Sequence, residues 1–281
     1  MAVFQSAQSA TSDNTGSVVI TKPVSLVVGD LLVAAIWTDR DSAGSATLNT
    51  PTGWTQEANQ TSSSDRSALA VFSKIADSGD VGATNFTFAA GGDIAQLVMI
   101  GHLLRFTDAG YVIGATTGSG TSGTTVTVPS ITPTAARANS TYIIAMARVR
   151  DTPPAAFSGV AIANSNPSWT SRAVSAINGT SNDSRMEVFT AVRSASTATG
   201  AATLTYGTED GTRSAGIMVG YVPRQNGTVT PVTNLNAYAI SPIKASGGLD
   251  LIVENPVDKI STPAIWTSET KPSTTWINEQ K

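Results

Sequence analysis

The sequence contains no cysteine and only one histidine, His102. Without cysteine the chain cannot form a disulfide, hold a metal through thiolates or use a cysteine nucleophile. A Ser-His-Asp triad or a multi-histidine metal site would depend entirely on His102. These shortages argue against an enzyme, and we predict no catalytic residue, no metal ligand and no cofactor.

Charged residues are also scarce. They make up 13% of the 281 residues, and the net charge is −3. A protein that holds a nucleic-acid backbone needs a clustered surplus of Lys and Arg, which this sequence does not have. Nucleic acid is therefore not an expected partner.

Long apolar runs are missing as well. The longest, residues 31–37 and 97–104, are far shorter than the roughly 20 residues of a membrane-spanning helix. Residues 1–6 carry neither a basic segment nor an apolar run. We therefore expect neither a secretory signal nor membrane insertion.

What the sequence does contain is a series of short apolar runs bounded by Gly, Asn, Asp, Ser and Pro. The absence of i, i+3, i+4 spacing over helical lengths predicts an all-β chain of the sandwich or jelly-roll kind. Six strands are predicted in each half: residues 16–21, 30–38, 54–60, 67–75, 84–88 and 94–106, then 124–128, 141–149, 169–175, 185–192, 202–206 and 215–222.

The two halves are related by an internal repeat. The matched residues are Trp54 with Trp169, Phe72 with Phe189, Phe88 with Tyr206, and His102 with Tyr221. Their spacing drifts by a few residues and never reverses, as expected when turns gain residues while strands keep their register. The sequence therefore predicts two tandem antiparallel β-sandwich, jelly-roll-like domains, residues 1–110 and 111–223, and an extended Pro-rich arm, residues 224–281.

The repeat also guides the interpretation of the aromatic residues. Trp54 and Trp169 each begin a strand after a Pro-containing turn, which favours a core or core-edge position, with sugar stacking as the alternative. Because Tyr221 replaces His102 in the second copy, we interpret both as strand positions that tolerate an amphipathic ring.

Three short motifs are better explained by local structure than by ligands. Residues 118–123 (GSGTSG) match a dinucleotide-binding pattern, but a β-prone segment follows where a helix is required, so a flexible linker between the copies is predicted. Residues 77–80 and 209–211 lack the ligand spacing of a calcium loop and are interpreted as acidic turns, as is the similar run 39–41.

The C-terminal segment differs from the repeats. Its frequent prolines oppose both helix and central strand, yet it carries two tryptophans that are unfavourable to leave exposed to water. We predict that this arm docks on another subunit or protein through Ile265, Trp266, Trp276 and Ile277. Packing of the arm back across its own two domains is the alternative.

Several phrases of the sequence resemble accessory structural proteins of tailed bacteriophages. They are residues 28–34 (VGDLLVA), 51–55 (PTGWT) and 70–77 (AVFSKIAD), together with the ending 272–281 (PSTTWINEQK). The resemblance covers the first copy and the tail well and the second copy loosely. It implies a virion component assembled in the host bacterial cytoplasm, and it carries no catalytic residues.

Three functions follow from these expectations. The favoured one is a head, neck or tail decoration or assembly protein that contacts other virion proteins as a homo-oligomer. The alternative is a receptor-contacting fibre or spike module whose exposed loops, such as residues 39–49 or 150–164, hold a host surface glycan. A hydrolase is least favoured, because no pair of carboxylates stands out.

Overall fold

Short apolar runs form strands throughout the part of the chain that the computed structural model describes. That part comprises residues 2–40, 45–62, 66–91, 97–120, 125–131, 140–150, 161–163, 168–178, 183–193, 198–205 and 211–224. The arm, including Ile265, Trp266, Trp276 and Ile277, lies outside the described residues. None of the helical structure in the described ranges could cross a membrane.

The described elements are almost entirely strands, so the all-β prediction is confirmed. Those of the first half are β1 (Val3–Asp13), β2 (Ser17–Thr21), β3 (Leu31–Arg40), β4 (Thr47–Leu48), β5 (Thr55–Thr61), β6 (Ser67–Ile75), α1 (Ser78–Gly82), β7 (Asn85–Gly91) and β8 (Leu97–Thr107). Those of the second half are β9 (Ala109–Gly120), β10 (Thr125–Val128), β11 (Ser140–Arg150), β12 (Ala161–Ala163), β13 (Thr170–Asn178), β14 (Asp183–Arg193), β15 (Ala202–Thr205) and β16 (Gly211–Pro223).

The two halves have the same strand order. In the first half, a large sheet runs β1-β8-β3-β6-β5 and a small sheet runs β2-β7-β4. In the second half, the corresponding orders are β9-β16-β11-β14-β13 and β10-β15-β12. Each strand of one half therefore has a counterpart at the same place in the other. The repeat seen in the sequence is a repeat of topology.

Each central strand of a large sheet is buried on both faces. Alternate residues of β3 enter two different hydrophobic clusters: Leu32, Ala34 and Ile36 join one made with β2 and β7, whereas Leu31, Val33, Ala35 and Trp37 join another. Because side chains alternate across a strand, a run that enters two cores reads as continuously apolar. This explains the long apolar run at residues 31–37.

The described residues contain three hydrophobic clusters of this kind. One lies within the first half, and we name it the first-half core. Another, the second-half core, holds Val126, Val128 and Tyr142 among others. The third, the shared core, combines Val33 and Trp37 of β3 with side chains of the second half such as Ile143 and Ile217. The two halves are thus joined by apolar packing.

All twelve predicted strands are present in the structure. The strand predicted at residues 67–75 matches β6 residue for residue. Two long strands, β1 and β9, were missed. They are counterparts of each other and lie at edges of the two large sheets. Their sequences are rich in Ser, Ala, Gly and Gln and show no clear apolar alternation. Pairing with β8 and β16 holds them in the sheets, which a single sequence does not reveal.

The prediction that residues 118–123 form a flexible linker is wrong for the part that is described. Gly118 and Gly120 belong to β9 and pair with Gly216 and Ser214 of β16. A Cβ atom at Gly118 would clash with the carbonyl oxygen of Thr127 in β10. The glycine therefore permits a close backbone approach, which a composition-based argument mistakes for flexibility.

Replacing Gly118 with alanine separates these two interpretations. We expect Gly118→Ala to lower the free energy of unfolding by about 2 to 3 kcal/mol, because a backbone atom must move to admit the methyl group. Denaturant unfolding followed by tryptophan fluorescence measures it. Gly82→Ala is the control, because a Cβ there meets no atom within 4 Å. Equal stability of the two variants would restore the linker interpretation.

Candidate functional site

His102 is a buried contact between the two halves. It lies in β8, with its Nδ1 atom 2.7 Å from the Ser9 hydroxyl and its Nε2 atom 3.3 Å from the Met186 carbonyl oxygen. Because a carbonyl only accepts, Nε2 carries the proton and Nδ1 accepts from Ser9. Burial lowers the pKa of His102 to about 4, although the Met186 carbonyl opposes this change. The neutral ring is buried, as is Tyr221. The strand registers match His102 with Ile217 and Tyr221 with Phe106, so the predicted match of His102 with Tyr221 is wrong.

Other polar side chains also join the halves. The indole nitrogen of Trp37 donates to the Ser184 hydroxyl over 3.3 Å, and Arg213 donates to the buried Asp39 carboxylate over 3.3 Å. The interpretation of residues 39–41 as an acidic turn is therefore wrong for Asp39 and Arg40. Both end β3 and are buried.

A cleft opens where β5 and β6 of the first half meet β9 and β16 of the second. Its volume is about 510 Å³, a size typical of small-ligand sites. Leu31, Ile75 and Val112 provide apolar walls, and Glu57 and Lys74 are among the polar lining residues. This is the candidate functional site, and sequence analysis did not identify it.

A β-bulge places Glu57 in the cleft. The pairing of β5 with β6 shifts between Gln56 and Ala58, so Glu57 is the additional residue without a partner in the ladder. Its carboxylate accepts a hydrogen bond from the Ser73 hydroxyl. Partial burial raises the pKa of Glu57, and the Ser73 hydrogen bond only partly offsets this.

The counterpart bulge in β13 carries the opposite charge. The register there shifts between Ser171 and Ala173, which makes Arg172 the additional residue. Its Nε atom donates to the Thr190 hydroxyl over 2.7 Å, and its guanidinium lies 4.4 Å from the centre of the Phe4 ring. The bulge and the hydrogen bond to a neighbouring hydroxyl are repeated, whereas the sign of the charge is not.

Lys74, the cation of the cleft, is held by two carboxylates. Its ammonium lies 2.8 Å from Asp80 and 3.1 Å from Asp77. Burial opposes the charged form, but the hydrogen bonds that Lys74 donates to Asp80 and Asp77 outweigh it, so the pKa of Lys74 is raised. The same carboxylates cap α1 in a reciprocal capping box. Residues 77–80, interpreted from the sequence as an acidic turn, are the N-cap and the start of α1.

Tyr221 lines the cleft from the second half. The residue is 1% exposed, and within the described part of the chain its hydroxyl makes no hydrogen bond of standard geometry. Burial raises the pKa of Tyr221 well above its usual range, and the nearby Glu57 charge adds to this. Ser73 is close enough to lower that pKa in part, although its own hydroxyl is donated to Glu57. A polar atom thus lies buried next to open space.

The repeated tryptophans lie at the edges of the first-half core and the second-half core, as predicted. Trp54 packs edge-on against Phe86 and Phe88, with ring centres 5.8 and 5.2 Å apart. Trp169 is partly buried against the second-half core. The core-edge interpretation of both residues is confirmed.

The neutral state of His102 predicts an acid-sensitive fold. Its folded pKa of about 4 lies below the ordinary value of 6.5, so the unfolded chain binds the proton more tightly. The stabilising contribution is complete above about pH 6.5 and is lost as the pH falls toward 4, by up to about 1.4 kcal/mol per pH unit. Unfolding free energies at several pH values measure this slope. His102→Gln, which keeps a donor and an acceptor but does not titrate, should have a shallower slope, and equal slopes would contradict the assignment.

The packing of Trp54 predicts a graded loss of stability. Trp54→Ala removes both aromatic contacts and leaves a cavity at the core edge, so we expect a loss of about 2 kcal/mol. Trp54→Phe keeps an aromatic ring and should lose less. Thermal and denaturant unfolding provide the measurement, and unchanged stability of the alanine variant would contradict a core-edge role.

Comparisons with known proteins identify no family or relative for this chain. Searches against protein-family models, curated proteins and solved structures each gave no match. Within the described ranges, no group of His, Asp and Glu side chains is placed to hold a metal ion. The function must therefore be argued from the residues themselves.

Proposed function

We propose that this chain is a non-enzymatic structural protein of a tailed-bacteriophage virion, a head, neck or tail decoration or assembly component that acts through protein contacts. The observation that carries the proposal is the shared core. Two halves of the same strand order bury one face of each large sheet against the other. Extensive apolar burial of this kind is typical of permanent association, and it makes a rigid platform for further contacts.

The same observation supports two tandem β-sandwich domains, residues 1–110 and 111–223. In each half a five-stranded sheet and a three-stranded sheet enclose a hydrophobic cluster of their own. The polar contacts of His102, Trp37 and Asp39 lie where the halves meet. On this proposal the buried polar side chains hold the domains together instead of performing chemistry.

An exposed apolar segment supports a protein partner. Val24, Val27 and Val28 are 65%, 53% and 64% exposed, and they lie within five consecutive residues of one loop. Gly29, which follows them, accepts a hydrogen bond from Arg224 over 2.9 Å. The described chain thus ends beside an apolar surface.

In this proposal the arm, residues 224–281, docks on a neighbouring subunit and makes the protein a homo-oligomer. Its anchors are Ile265, Trp266, Trp276 and Ile277, because large apolar side chains gain most from burial at an interface. The virion setting and assembly in the host cytoplasm rest on the sequence resemblance. No cofactor, nucleic acid or membrane insertion is part of the proposal.

The alternative, a receptor-contacting module that holds a host glycan in exposed loops, gains less support. Of the two loops it would use, residues 39–49 begin with the buried Asp39 and Arg40. Residues 151–160 of the other loop lie outside the described part of the chain. The protein-contact proposal is therefore preferred.

Truncation after Arg224 tests the proposal, because it removes the arm and keeps β16 and the Arg224 contact. We expect the truncated protein to unfold at a similar temperature, to sediment as a smaller species than the full chain, and to be absent from virions. Trp266→Ala with Trp276→Ala in the full chain should have the same effect, whereas the neighbouring Thr267→Ala with Thr275→Ala should not. Unchanged assembly and incorporation after truncation would contradict the docking arm.

A further inference from the structure

Glu57 is a half-buried carboxylate for which the described part of the chain supplies no cation. Its hydrogen bond comes from the uncharged Ser73 hydroxyl. Lys74, the cation in the same cleft, is already held by Asp77 and Asp80. Keeping a carboxylate partly out of water without a cation is unfavourable. A positively charged group placed at Glu57 would relieve this cost.

The remainder of the cleft suits an aliphatic chain that ends in such a group. Leu31, Ile75 and Val112 form apolar walls, and Ile75 is 43% exposed. The Tyr221 hydroxyl, buried at the second-half side, makes no hydrogen bond of standard geometry among the described residues. Because this hydroxyl is buried, the lining that a ligand meets combines the Glu57 carboxylate with apolar surface.

The repeat provides an internal precedent for a cation at this place. At the counterpart junction, between β13 and β1, the bulge side chain is Arg172, and its guanidinium covers the Phe4 ring. At the cleft, between β5 and β9, the bulge side chain is the carboxylate of Glu57, and the lining residue Gly110 has no side chain. Where one junction supplies its own cation, the other leaves an anion beside open space.

We propose that this cleft binds the cationic end of a lysine or arginine side chain carried by a partner protein. The alkyl part of the side chain packs between Leu31, Ile75 and Val112, and the ammonium or guanidinium group donates to Glu57. Both side chains have an apolar stem and a charged head, which matches this lining. The inference that a protein carries this side chain rests on the proposed function. The recognition of a cationic group by the cleft does not depend on it.

The charge of the cleft favours a cation over a neutral saccharide. Glu57 and Asp77 contribute two carboxylates to the lining, against one ammonium from Lys74. Saccharide hydroxyls can hydrogen-bond to Glu57 but leave its charge uncompensated. A cation satisfies both the hydrogen bond and the charge, and charge-assisted hydrogen bonds are about twice as strong as neutral ones.

The test is a titration of the full-length protein with three blocked amino acids, followed by NMR. The probes are N-acetyl-lysine N-methylamide, the arginine analogue and, as a neutral control of similar shape, the norleucine analogue. We expect the first two to bind and the third to bind at least about tenfold more weakly, as loss of a charged hydrogen bond implies. Because protonation of Glu57 removes the anion, binding should also weaken at acidic pH.

Two charge-neutralising variants at the paired bulges complete the test. Glu57→Gln keeps the shape of the side chain and a Ser73 acceptor, and it should weaken the lysine probe by about tenfold or more. Arg172→Gln, at the counterpart bulge, should leave binding unchanged. If norleucine binds as well as lysine, or if Glu57→Gln binds like the unaltered protein, the proposal is wrong. Binding of N-acetylglucosamine, with no binding of the cationic probes, would overturn it in favour of a saccharide site.

This titration also keeps the two proposals separate. Probe binding requires neither assembly nor a virion, whereas the truncation experiment does not involve the cleft. If the cationic probes bind but truncation does not change assembly, the cleft proposal stands and the docking-arm proposal is wrong. The opposite pair of results would reject the cleft and retain the arm.

Discussion

The structure depends on the burial of two large sheets against each other. Because β3 and β11 each lie between two hydrophobic layers, the shared core cannot be exposed without giving up apolar burial from both halves. The unusual polar features follow from this constraint. His102 is neutral, Asp39 is paired with Arg213, and Trp37 bonds to Ser184 because each has been moved out of water at the junction.

The two halves are alike in their cores and differ at their rims. The strand order is the same in the two halves, and both keep a β-bulge near one edge of the large sheet. A core position must keep its shape in both copies, since packing density leaves little tolerance there. A bulge residue at a rim meets no such demand. Glu57 can therefore occupy this position in one half and Arg172 the equivalent position in the other. This difference lies at the cleft that we propose as a binding site.

Charged residues are few, and several of those that are buried or partly buried form ion pairs. Arg105 lies 2.6 Å from Asp30, and Lys74 is shared between Asp77 and Asp80. Such pairs spare a partly buried charge the cost of standing alone. Glu57 differs from these ion-paired residues, since its hydrogen-bond donor is the uncharged Ser73 hydroxyl. This is the carboxylate at which we propose that a partner contributes a positive charge.

The sequence by itself determined the all-β class, the internal repeat, the twelve apolar strands and the core-edge tryptophans, because strand patterning and turn residues are local properties. It did not reveal β1 and β9, whose small and polar residues are held by pairing with β8 and β16. It also misplaced Gly118 and Asp39, since a close backbone approach and a buried ion pair both depend on distant residues. The cleft, too, is a feature that depends on residues from both halves of the chain. Glu57 and Lys74 lie on the paired strands β5 and β6, whereas Tyr221 and Val112 come from β16 and β9 of the second half, and only the packing of one half on the other brings the two groups together.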